Sequence, residues 1–152
     1  GYAASTTLPA RDGFEHGEIK RSVRSPNNSF FTNWTRTEDA ITWPADVVEP
    51  GDYEVTVFYT CQAVNRGAQI RLTSGQASTK VATVTKAFNP PFYDKSIERM
   101  EESHYWVNEF MPLSLGVLSL GSGEQTLKLE APKIPGAAAI DVHSIQIVRR
   151  DS

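Results

Sequence analysis

The side chains best suited to nucleophilic, acid–base or metal chemistry are the only cysteine, Cys61, and the three histidines, His16, His104 and His143. A cysteine nucleophile needs a histidine within reach to take its proton, and a zinc site needs ligands at short, regular spacings. No two of these four lie at such a spacing. Cys61 therefore reads as a small buried hydrophobe at the end of a strand, and a single cysteine leaves no intramolecular disulfide to form.

Carboxylates are too plentiful to be diagnostic. Glu15, Glu18, Asp39, Glu98, Glu101 and Glu102 would each serve in a glycosidase-type pair, so no particular pair stands out. A Gly-rich phosphate loop, a Gly-x-Ser-x-Gly elbow and a His-Glu-x-x-His pair are all missing. The chain reads as a module without catalysis of its own.

Aromatic residues carry more information. Trp34, Phe92, Tyr93, Tyr105 and Trp106 fall in or beside expected loops, where a flat ring can stack on the apolar face of a sugar. Asn65-Arg66-Gly67 is expected to be a hairpin turn whose Asn65 and Arg66 could bond hydroxyls or, together with Arg99, a sulfate. The candidate carbohydrate-binding residues are thus Trp34, Asn65, Arg66, Phe92, Tyr93, Arg99 and Trp106. Burial at the ends of a core is the alternative role for the rings.

The elements that must position them are strands. Tyr53, Val55, Val57 and Tyr59 alternate with Glu54, Thr56 and Thr60, a period of two with Phe58 as the exception. Pro50-Gly51-Asp52 supplies a turn from a strand over 43–48, and a hairpin is the simplest connection. Further strands are expected around Ala68, Ile70 and Leu72, from Leu113 to Leu120, from Gln125 to Ala131 and from Ile140 to Val148. Seven to nine such strands make an all-β fold, a jelly-roll sandwich of two antiparallel sheets. The stretch from Phe88 to Ser103 is expected to be a long loop with one helical turn.

A chain of 152 residues with 39% hydrophobic composition supports one core, hence a single module spanning 1–152. A net charge of −3 with scattered basic residues does not gather a nucleic-acid backbone. No apolar run reaches the roughly 18 residues that span a bilayer, and the first ten residues do not resemble a signal peptide. Beginning at Gly1, the chain is expected to be a piece of a longer product.

Several stretches, in order, resemble the galactose-binding-like, carbohydrate-binding β-sandwich modules appended to secreted bacterial sulfatases and some fucosidases. They are "LPARDGFEHG", "NWTRTEDAITW", "EPGDYEVTVFYTC", "ESHYWV", "PLSLGVLSLGSGEQTLKLEA" and "IPGAAAIDVHSIQI". The resemblance implies sugar binding, or packing beside a catalytic domain, in a secreted or periplasmic protein. It also implies a structural calcium, which here would fall to Asp12 or Glu15 together with Asp141. Relatives of this kind place a sugar-contacting asparagine two residues before the last-strand aspartate, a position held here by Ala139. The cysteine of sulfatase chemistry lies in a Cys-x-Pro-Ser-Arg-like setting, whereas Cys61 is followed by Gln62-Ala63-Val64-Asn65.

The expected function is a non-catalytic carbohydrate-binding module of a secreted polysaccharide-active enzyme, with a sulfatase as parent and a sugar or sulfated polysaccharide as ligand. The alternative is an interaction domain that packs its aromatic loop against the parent catalytic domain.

Overall fold

The computed structural model describes residues 5–22, 29–88 and 110–150. Among them the strands are β1 (Ser5–Pro9), β2 (Phe14–His16), β3 (Lys20–Arg21), β4 (Phe31–Thr32), β5 (Ala40–Val47) and β6 (Gly51–Thr60). The second half supplies β7 (Gln69–Ser74), β8 (Ala77–Ser78), β9 (Ala82–Thr83), β10 (Met111–Leu120), β11 (Gly123–Lys133) and β12 (Asp141–Arg149). This exceeds the seven to nine expected because four of them are two-residue pieces with too little alternation to see in a sequence. Among the described residues no helix is long and apolar enough to cross a membrane.

Two antiparallel sheets face each other. One runs β10-β6-β12-β4-β3 with β1 also on β12; the other runs β2-β5-β11-β7-β8 with β9 also on β7. Tyr53, Val55, Val57 and Tyr59 of β6 point inward and are buried, as the alternation requires. They meet Ile41 and Trp43 from β5, Leu127 and Leu129 from β11, and Ile70 and Leu72 from β7, all buried. Phe58 sits on the outer face, paired with Pro112 and Ser144. Phe31 of one sheet and Trp43 of the other pack edge to face at 6.0 Å.

The hairpin expected at Pro50-Gly51 does not form. β5 and β6 belong to different sheets, so this turn carries the chain across the sandwich and lets Trp43 and Tyr53 approach one core from opposite sides. Crossing connections also join β6 to β7 and β10 to β11. One β-bulge, between Ser114 and Gly116 of β10, uses a left-handed Gly116 at φ 85° that a side chain would strain.

Candidate functional site

Three strand ends meet at one end of the sandwich. Asp141 opens β12 and pairs in register with Thr60, the last residue of β6. On its other side Val142 pairs with Phe31, which sets Thr32, the last residue of β4, beside Asp141. Each of these positions follows or precedes an inward core residue by one, so period two turns all three side chains outward onto a shared surface. A cavity of about 210 Å³ opens there.

Two connections complete its walls. After Cys61 the chain makes a short 3-10 turn over Ala63–Asn65, bringing Gln62 and Asn65 to the rim. Opposite, Ala138 and Ala139 lead into β12, and the Ala139 amide donates to the Trp34 carbonyl at 2.8 Å. Asn65 joins the two sides, because its Oδ1 accepts from the amides of Ala137 at 3.1 Å and Ala138 at 3.2 Å. The segment 61–67 is therefore a crossover between sheets rather than the expected hairpin turn, and Asn65 is buried in it.

Electrostatically the site belongs to Asp141. Burial pushes its carboxyl up to about 6, against a hydrogen bond from the Thr32 hydroxyl that holds it lower. Burial also raises the Cys61 thiol, with Asp141 adding to the effect and Arg66 opposing it. Two residues along, burial lowers the His143 imidazole, whose ring stacks on Phe110 with centroids 4.2 Å apart. Phe88 exchanges two backbone hydrogen bonds with Cys61, both 2.8 Å. Phe88 and Phe110 thus bring both described flanks of segment 89–109 to this end of the fold.

The residues expected from sequence are distributed unevenly. Asn65 and Asp141 line the cavity. Arg66 is exposed beside it, with Nε donating to the Ala63 carbonyl at 3.2 Å. Trp34 is not a stacking platform: only 1% of it is exposed, it belongs to the core, and its indole N–H finds no partner among the described residues. Its neighbours Asn33 and Thr35 line the cavity instead. Ala139 does occupy the wall, but it offers no polar side chain. Phe92, Tyr93, Arg99 and Trp106, with the helical turn expected before Ser103, lie outside the described residues.

The carboxylates expected to hold calcium are placed as follows. Asp12 is exposed, and Glu15 Oε1 is engaged by Arg21 Nη2 at 2.9 Å. That arginine also donates to the carbonyls of Ala10 and Gly13 and lies 4.7 Å from the Phe31 ring centre, so it clamps the strand start in place. Among the described residues no three Asp, Glu, His or Cys side chains converge to hold a metal ion. Sequence reading did not name Thr32, Thr60 or Gln62 as site residues. The one available signal was Thr60, a polar outward position directly before the buried Cys61.

With this geometry in hand, the chain can be set beside known proteins. No protein-family model matches it, and no curated protein matches it in sequence. Solved structures do match in fold. A family 35 carbohydrate binding module from Clostridium thermocellum superposes with a TM-score of 0.67 at 13% identity, over 95% of this chain and 98% of that one. The C-terminal CBM6 of a marine laminarinase from Zobellia galactanivorans gives 0.64 at 9% identity, over 96% and 100%. The GH26-CBM35 β-(1,4)-mannanase of Podospora anserina gives 0.67 at 11% identity, covering 97% of this chain but only 28% of the mannanase. The chain therefore has the jelly-roll fold of carbohydrate-binding modules; it spans the full length of the isolated modules and about a quarter of the larger enzyme.

Proposed function

We propose that this chain is a non-catalytic carbohydrate-binding module of a secreted polysaccharide-active enzyme, and that the cavity at Thr32, Thr60 and Asp141 contacts the sugar. The observation that carries this reading is the shared fold with a family 35 module over nearly the whole of both chains. The cavity adds to it. Hydroxyl and carboxamide side chains around one carboxylate suit the hydroxyls of a sugar ring, and ligand sites favour such convergent polar groups in a concave surface. Phe92, Tyr93 and Trp106 belong to the segment whose flanks abut this end, and we assign them the stacking role.

A sulfatase parent follows from the resemblance of the sequence stretches and is the reading we favour for the larger protein. A sulfated polysaccharide is a poorer ligand for the described walls, because Asp141 repels a sulfate and Arg66 stands outside the cavity. Binding of the chain to an array of neutral, amino and sulfated polysaccharides tests the function. Retention of at least one class is expected, and failure to retain any overturns the reading.

The second reading is docking to the parent catalytic domain. It is favoured by the outer face of the β6 sheet, where the half-buried Phe58 lies one strand from the Phe110–His143 stack. A co-purified complex of this chain with the parent's catalytic domain, lost on Phe58→Ser, would support it.

A further inference from the structure

Among the described residues the cavity holds one formally charged side chain, and it is negative. No described lysine, arginine or histidine lines it; its other polar walls are hydroxyls and carboxamides, from Thr32, Thr60, Gln62 and Asn65 among others. Among the described residues no ion pair reaches Asp141. The cationic groups nearby, among the described residues, are directed elsewhere. Arg66 donates to Ala63, Arg36 is held by Asp39, and Lys20, in register with Thr32 on the far side from Asp141, is exposed to solvent.

A carboxylate offers about four lone-pair positions, and a half-buried one loses hydration without recovering it unless a donor arrives. Thr32 fills one position. A cationic donor is the best match for the remainder, since charge-assisted hydrogen bonds are roughly twice as strong as neutral ones. A cavity of about 210 Å³ is smaller than sites for drug-sized ligands and has room for about one sugar unit.

We propose that the cavity takes a glycan bearing a free amine, an amino sugar whose ammonium pairs with the Asp141 carboxylate while the surrounding hydroxyls and carboxamides bond the ring. This rests on the carbohydrate-binding reading above and narrows it: N-acetylation of the sugar removes the charge, and sulfation or a uronic acid brings the wrong one.

Calorimetric titration of the 152-residue chain near neutral pH decides it. The probes are glucosamine oligosaccharides, the same oligosaccharides fully N-acetylated, and neutral cello-oligosaccharides of equal length. The free-amine series should bind about tenfold tighter than the other two, and Asp141→Asn should bring the three to parity without losing the unfolding transition. The wild-type comparison alone suffices if the variant fails to fold. Equal binding of all three series overturns the amine assignment and leaves sugar binding intact. No binding of any of them, or of the wider polysaccharide array, overturns both. Binding that requires added calcium and vanishes with a chelator also overturns the amine assignment, because a metal ion would then face Asp141.

Discussion

Asp141 accepts a hydrogen bond from the Thr32 hydroxyl across the β12–β4 pair, yet burial leaves its carboxyl titrating near 6. A raised acid binds its proton more tightly in the folded chain than in the unfolded one. Its contribution to stability is therefore complete below the unfolded value of 3.8 and is lost as the pH rises through about 6. Replacing it with asparagine removes that loss. Asp141→Asn should leave Tm little changed near pH 4 and raise it by several degrees at pH 7, corresponding to about 1–3 kcal/mol. Thermal unfolding of both proteins across this range is the measurement, and parallel curves would show that Asp141 is better solvated than its burial indicates.

Asp39 has the opposite sign. Its side chain is 1% exposed and is gripped by Arg36, with Nη2 to Oδ1 at 2.6 Å, while Oδ2 accepts from the Glu18 amide at 2.9 Å. The Arg36 hydrogen bond, then the Glu18 amide, hold its pKa below the ordinary value despite the opposing effect of burial. Its stabilisation is present above the unfolded value of 3.8 and fades as the pH falls through the lower folded one. Asp39→Asn should cost about 1–3 kcal/mol at pH 7 and much less in acid. Gly17→Ala separates charge from space. A Cβ there would run into the Asp39 carboxylate, and Gly17 sits at φ 93°, so this change should destabilise the protein at every pH.

Much of the scaffold was legible because burial writes itself into alternation. Tyr53, Val55, Val57 and Tyr59 are inward, Phe58 is the outward exception, and Cys61 ends the run buried, all as their spacing indicates. Connectivity was not legible, since Pro50-Gly51 makes the same local turn whether the next strand joins the same sheet or the opposite one. Trp34 took the second of its two expected roles, core burial rather than stacking, for a related reason. A loop position says where the backbone goes, whereas its ring fills the core between the strands that follow. The cavity was the hardest to foresee, because Thr32, Thr60 and Asp141 become neighbours only through the β4-β12-β6 pairing.

Asn65 is expected to hold the cavity's shape. Its Oδ1 serves the amides of both Ala137 and Ala138, so Asn65→Ala strands two backbone donors in a partly buried loop. The expected cost is about 1–3 kcal/mol of stability, with a larger proportional loss of sugar affinity than of Tm because the 137–139 wall is freed to move. Asn65→Asp keeps the acceptor and should restore most of the stability. Equal stability of the alanine variant and the wild type would mean that the loop is held by other contacts.

Cys61 should be chemically silent in the folded protein. It is 3% exposed, and burial raises its thiol pKa, so little thiolate is present and little of it is reachable. Its backbone is pinned to Phe88 by paired hydrogen bonds directly after the end of β6. Alkylation by iodoacetamide should therefore be negligible in buffer and should rise in step with the loss of tertiary signal as urea unfolds the chain. Labelling that runs ahead of global unfolding would show instead that the Cys61–Phe88 bridge opens locally, and ligand should then suppress it, because Cys61 belongs to the wall of the same cavity as Asp141.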